Sequence, residues 1–188
     1  MSIAVMEQKK RLHPHKFTLW VALASIIMMF AGFTSAYIIK RNQVNWVTFN
    51  LPKVFWYSTV AIIISSVTLW MAQNAFKSRE MPKYRKLVVA TLLLGVLFIA
   101  LQIIGFSQLW VNGMTLTANV SFSFLYSIVG LHALHVLGGI IALLVLFVKT
   151  FSKKVRNYNI VPVEVMSTYW HFVDFLWIYL WIFLIMVR

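Results

Sequence analysis

Long uncharged runs separated by short basic clusters set the pattern of the chain. Phe17 to Ile39 contains no Lys, Arg, Asp or Glu and lies between Lys16 and Lys40. Val54 to Phe76 is the same, between Lys53 and Lys77. Leu87 to Val148 is also free of those charges. A membrane-crossing helix needs about 20 mostly apolar residues to span a hydrocarbon core roughly 30 Å thick. The third run is far too long for one crossing, so it must turn. Trp110-Val111-Asn112-Gly113-Met114, continuing through Asn119 and Ser121, holds the Asn, Gly and Thr of a turn. The last run, Val165 to Val187, carries one charge, Asp174. The pattern predicts an all-α polytopic bundle of five transmembrane helices, near 17–39, 54–76, 87–110, 122–148 and 165–187. The 188 residues then form a single membrane domain. A β-barrel would instead alternate in segments of about 10 residues. The first run reads as a span and not as a cleavable signal, whose apolar core is usually about 7–15 residues.

Composition strengthens this reading. The chain is 61% hydrophobic and 11% charged, against roughly 25% charged in a soluble domain. So few charges do not cover a water-facing surface. The net charge is +13, which in a soluble protein would point to nucleic acid. Here the basic residues sit at the ends of apolar runs, as topology determinants do. One side of a five-span model collects Lys9, Lys10, Arg11 and Lys16, then Lys77, Arg79, Lys83, Arg85 and Lys86, then Lys149, Lys153, Lys154 and Arg156. The other has only Lys40, Arg41, Lys53 and Arg188. The positive-inside rule puts the N-terminus in and the C-terminus out. Trp46, Trp56 and Trp110 fall at the outer boundary, where aromatic belts form. The chain has no cysteine, which excludes disulfides, thiolate metal sites and a cysteine nucleophile within it.

Candidate chemistry is confined to a few polar residues inside the apolar runs. A charge near the bilayer centre costs roughly 2.5–3.5 kcal/mol on insertion scales, so Asp174 demands a reason. His171 lies one helical turn before it, and the fourth span carries His132 and His135. Counting 1.5 Å per residue, His135 and Asp174 come to similar depth. The reading predicts that the last two spans pack with His132 or His135 near Asp174, as a buried polar cluster of His132, His135, His171 and Asp174. Gly130, Gly138 and Gly139 would let the helices approach closely. A hydrogen-bonded packing cluster competes with proton handling, lipid head-group binding and a metal or haem site. Elsewhere, Ser58, Thr59, Ser65, Ser66 and Thr68 are expected to bond back to their own helix. Gln102 needs a partner on a neighbouring helix. Ala22, Ala24, Ser25, Ala31 and Gly32 offer a packing surface on the first span. His13 and His15 lie in the polar N-terminal segment.

Tyr169-Trp170-His171-Phe172-Val173-Asp174, followed by Trp177, resembles the last-helix signature of subunit III of haem–copper terminal oxidases. Gly130-Leu131-His132-Ala133-Leu134-His135-Val136-Leu137-Gly138-Gly139 is similar to that family's pattern in the preceding helix. Ser65-Ser66-Val67-Thr68 resembles an earlier family motif, and Gly95 with Phe98 and Gln102 matches the next one. The resemblance runs from about residue 12 to 188, in the five-helix form that lacks the first two helices of longer members. One departure is Ala24-Ser25-Ile26, where the family often has a buried Glu at the third position.

The resemblance implies an accessory subunit of a cytochrome c or quinol oxidase, not catalytic on its own. It would support the stability and proton uptake of subunit I during aerobic respiration. No cofactor is expected in this chain; haem and copper are expected in partner subunits. The implied partners are oxidase subunit I, other oxidase subunits and membrane phospholipids, alone or within a respiratory supercomplex, and not nucleic acid. The implied location is the bacterial inner membrane. Competing readings are a related subunit of a nitric oxide reductase and a b-type haem membrane anchor. A small transporter would need inverted repeats or broken helices, which the sequence does not show.

Overall fold

The computed structural model describes residues 14–43, 46–48, 51–151 and 160–187. His13, Lys9, Lys10, Arg11, Lys153, Lys154, Arg156 and Arg188 lie outside the described residues, as does the side chain of His15. Five helices follow one another: α1 (Pro14–Arg41), α2 (Val54–Lys77), α3 (Met81–Val111), α4 (Val120–Phe151) and α5 (Val161–Met186). All five are long and apolar enough to cross a membrane, and no strand occurs among the described residues.

Helix starts follow proline chemistry. A proline at the first turn lacks only an N–H that would have no helical partner anyway. Pro14 opens α1, while Pro82 and Pro162 occupy the first turns of α3 and α5. Pro52 stands just before α2, its carbonyl accepting from the Phe55 N–H at 3.1 Å. Asn119 caps α4: its side-chain oxygen accepts from the Ser121 N–H at 3.0 Å.

α2 and α3 end in the same device. After α3, Gly113 takes a left-handed φ of 76°, and the Met114 N–H reaches back to the Leu109 carbonyl at 3.0 Å. After α2, Arg79 takes φ 61°, and the Glu80 N–H reaches back to the Ala75 carbonyl at 2.9 Å. Both are Schellman closures, in which the left-handed position normally goes to glycine. Several helices extend beyond the uncharged runs. α3 begins at Met81 and takes in Lys83, Arg85 and Lys86. Long basic side chains carry their charge outward while their stems stay with the helix, so a helix does not stop where charge begins.

α4 and α5 form the middle of the bundle. α5 packs on α1, α2 and α4, and α4 packs on α1, α3 and α5. The α2–α3 hairpin lies on one side of this pair and α1 on the other. α1 makes no packing contact with α2 or α3 among the described residues. The packing surface expected on α1 is not used inside the chain: Ala22, Ala24, Ser25, Ala31 and Gly32 are exposed. α1 instead buries its bulky stripe of Leu23, Ile26, Phe30, Thr34 and Tyr37. Lipid tails are as apolar as these side chains, so packing decides which stripe turns inward: Phe30 meets the His132 and His135 rings of α4, and Tyr37 meets Phe124 of α4 and Phe183 of α5.

Candidate functional site

The tryptophans of α5 hold the centre together. Trp170 is 1% exposed, and its Nε1–H donates to Ser65 Oγ of α2 at 3.0 Å. Its ring fills the space at two glycines. A Cβ on Gly95 of α3 would meet the indole at 2.9 Å, and one on Gly139 of α4 would meet it at 3.0 Å. One side chain thus touches three helices besides its own. Two turns on, the Trp177 Nε1–H donates to Thr59 Oγ1 at 3.0 Å. The Trp177 ring lies 5.0 Å from the His132 imidazole and meets Phe98 edge-on at 5.1 Å.

α2 supplies the opposing polar row. The Ser66 hydroxyl lies 2.6 Å from His171 Nδ1. Gln102 Nε2 of α3 donates to Ser58 Oγ at 3.1 Å, giving that amide its partner on a neighbouring helix. Thr68 and Thr91 hydroxyls are 2.9 Å apart, and Ser167 Oγ donates to Gln73 Oε1 at 2.9 Å. Ser58, Thr59 and Thr68 also bond back to carbonyls of α2, at Phe55, Phe55 and Ser65. These three hydroxyls therefore do both things: they satisfy their own helix and present an oxygen to the next one, whereas Ser65 and Ser66 meet the α5 side chains Trp170 and His171.

The expected cluster divides into two pairs, His171 with Asp174 beside Ser66 of α2 and His132 with His135 against Phe30 of α1. Asp174 is 3% exposed, and neither carboxyl oxygen completes a hydrogen bond. The Ser66 hydroxyl is near enough to interact with it. His132 is 0% exposed, with neither ring nitrogen bonded. It is enclosed by the rings of Phe30, Phe98 and Trp177. His135 Nδ1 lies 2.7 Å from the Leu131 carbonyl, and its ring is 5.8 Å from Phe30 of α1. The expected bond between Asp174 and an α4 imidazole is not formed. Gly139 opposite Trp170 and His132 opposite Trp177 fix an antiparallel register that sets His135 level with Asp174. Depth therefore agrees, but direction does not. His135 turns toward α1, while Asp174 shares the α2-facing side of α5 with Trp170, His171 and Trp177.

The glycines divide likewise. Gly139 is a close-approach position, Gly138 meets only the Tyr169 hydroxyl at 3.8 Å, and Gly130 meets nothing within 4 Å. Tyr169 donates to the His135 carbonyl at 3.0 Å, and Phe172 is half-buried against the core. Ile26, where the resemblance leads to a Glu being expected, is buried on the inward stripe of α1. Sequence reasoning missed the Lys16 Nζ–Glu164 Oε2 ion pair, 2.8 Å long, which ties the starts of α1 and α5. Its signal was available: each residue is a charge immediately before an apolar run. Also unforeseen is an apolar groove of about 610 Å³ between α1, α4 and α5, lined by Leu19, Gly138, Val145, Val165 and Tyr169, with Lys149 among its residues. No group of three or more His, Cys, Asp or Glu suited to a metal ion occurs among the described residues.

Comparison with known proteins gives a consistent result. A family model described as cytochrome c oxidase subunit III matches residues 16–187. A probable cytochrome c oxidase subunit 3 of Nocardia farcinica is 33% identical over 172 residues, covering 88% of this chain and 84% of the relative. A cytochrome c oxidase subunit 3 of Bacillus sp. strain PS3 is 28% identical over 166 residues, covering 86% and 80%. A cytochrome bo(3) ubiquinol oxidase subunit 3 of Buchnera aphidicola is 28% identical over 167 residues, covering 86% and 88%.

Proposed function

The chain belongs to the cytochrome c oxidase subunit III family, and from that membership we propose that it is the accessory, non-catalytic subunit of a respiratory haem–copper oxidase in the bacterial inner membrane. It is one membrane domain with its N-terminus inside. It packs on subunit I and supports the stability and proton uptake of that subunit. The observation that carries this reading is the family match over residues 16–187. Its physical support is that the motif residues work as structure: Trp170, Trp177, Ser65, Ser66 and Gln102 each commit a polar atom to a bond between helices. A protein that stabilises a neighbour needs such a stiff body more than it needs reactive groups. Haem and copper belong to the partner subunits in this reading. Phospholipid is a further partner: an acyl chain fits the apolar groove of α1, α4 and α5, with an anionic head-group near Lys149.

The test is purification of the tagged chain from membranes in a gentle detergent, with mass identification of its partners and an absorption spectrum. The chain is expected to come with a haem-bearing oxidase subunit. The Soret band is expected to leave with that subunit when the complex is dissociated. A chain that purifies alone, or carries the haem band by itself, overturns the reading.

A further inference from the structure

α1 and α2 flank α5 without touching each other, so a strip of α5 stays open between them. Phe175, 71% exposed, and Ile182 lie on that strip. Ile63 and Trp70, one turn either side of Ser66, line its α2 edge and are exposed. Ile27, two turns before Thr34 on the α5-facing side of α1, is exposed on the other edge. These residues suit acyl chains or another apolar helix equally well.

One residue breaks the tie. His171 stands one turn before Phe175 and is only half-buried. Ten residues into α5, it is about 15 Å from the helix start, near the middle of a bilayer core. Its Nδ1 is taken by Ser66, and its other ring nitrogen has no hydrogen bond among the described residues. Behind it sits the buried Asp174 carboxyl, whose oxygens also lack hydrogen bonds, with the Ser66 hydroxyl near both groups. Whichever tautomer His171 takes, one ring nitrogen is left to donate or accept. Lipid tails offer no partner for it, and intramembrane polar residues face protein or a water-filled cavity.

We infer that the α1–α5–α2 face, with the half-buried His171 backed by the orphaned Asp174 carboxyl, is the seat of a transmembrane helix from another oxidase subunit carrying a hydrogen-bonding side chain at the level of His171. This rests on the accessory-subunit reading above. The partner helix shields the imidazole from lipid, completes the string from Asp174 through Ser66 to His171, and covers Phe175.

The experiment uses the intact membrane-embedded complex. A benzophenone amino acid replaces Phe175, and in a second strain Leu134, which is exposed on α4. Irradiation is expected to join position 175 to another oxidase subunit, with a mass gain equal to that subunit. Position 134 serves as the reference for lipid-facing sites. Adducts at 175 with lipid only, or with a second copy of this chain, overturn the inference even when the chain still co-purifies with the oxidase. Failure to co-purify is a different result and strikes the accessory-subunit reading instead. A paired measurement checks the polar anchor. His171→Phe is expected to be lost from the detergent-purified complex and His171→Gln, whose terminal amide reaches the position of the outer ring nitrogen, retained, with equal helix content in both isolated chains. Equal retention of the two variants removes His171 from the contact.

Discussion

Trp170 shows how much of this bundle depends on an absent methyl group. Its indole occupies the space where Gly95 and Gly139 would carry a Cβ. The ring cannot retreat from both at once while Nε1 stays on Ser65. Gly139→Ala or Gly95→Ala is therefore expected to destabilise the chain by about 1–3 kcal/mol, the usual range for overpacking. Gly130→Ala, which meets nothing within 4 Å, is expected to be neutral. Thermal unfolding of the purified variants checks the contrast, and equal losses at all three positions would refute it. The sequence marked all three α4 glycines alike, because an apolar helix gives no phase. An amphipathic helix declares its inner face; one that is hydrophobic all round does not. The same gap explains Asp174. Rise per residue gave its level correctly against His135, while nothing in Val165 to Val187 said which neighbour its carboxyl would face. Backbone chemistry was legible where residue type carries it, as at Gly113. It was illegible at Arg79, where a non-glycine residue takes the same left-handed turn.

At the scale of elements, α2 is the polar spine and α5 its main client. The hydroxyls of Ser58, Thr59, Ser65 and Ser66 each meet a side chain from α3 or α5. Such bonds between membrane helices average about 0.6 kcal/mol and reach roughly 1–2 kcal/mol. No single one dominates, but together they pin rotation and register. The Ser58–Gln102 pair allows a clean measurement, because Gln102 Oε1 already lacks a bond. Ser58→Ala leaves the whole amide unpaired in the core. It is expected to cost more in the native background than in a Gln102→Met background, by about 0.5–2 kcal/mol of coupling. Strictly additive losses in a double-mutant cycle would show that the bond contributes nothing. Helix number and order were readable because charge placement records the spans. The inter-helix bonds were not, since a serine that bonds back to its own helix and one that reaches across look identical in sequence.

Over the whole molecule, the absence of contact between α1 and the α2–α3 hairpin makes the bundle unequal. α2 to α5 close on one another around Trp170 and Trp177, whereas α1 leans on α4 and α5 alone. Its ties lie at its two ends and in the ring stack between them. The Lys16–Glu164 ion pair is at one end, and Tyr37 meets Trp46, Phe124 and Phe183 at the other. Phe30 packs on both α4 imidazoles between them. Transmembrane helices form first and associate afterwards through packing and hydrogen bonds, so an element with fewer neighbours should leave first. A protease site placed in the α1–α2 connection separates this helix from the rest without touching the core. After cleavage the two pieces are expected to stay together in mild detergent. As the detergent becomes harsher, α1 is expected to dissociate while the α2–α5 piece keeps the near-ultraviolet circular dichroism of its buried tryptophans. Loss of that signal together with α1 would mean that α1 closes the core around Trp177. That result would contradict the division of the bundle, because the ring faces of Trp177 and His132 would then depend on Phe30.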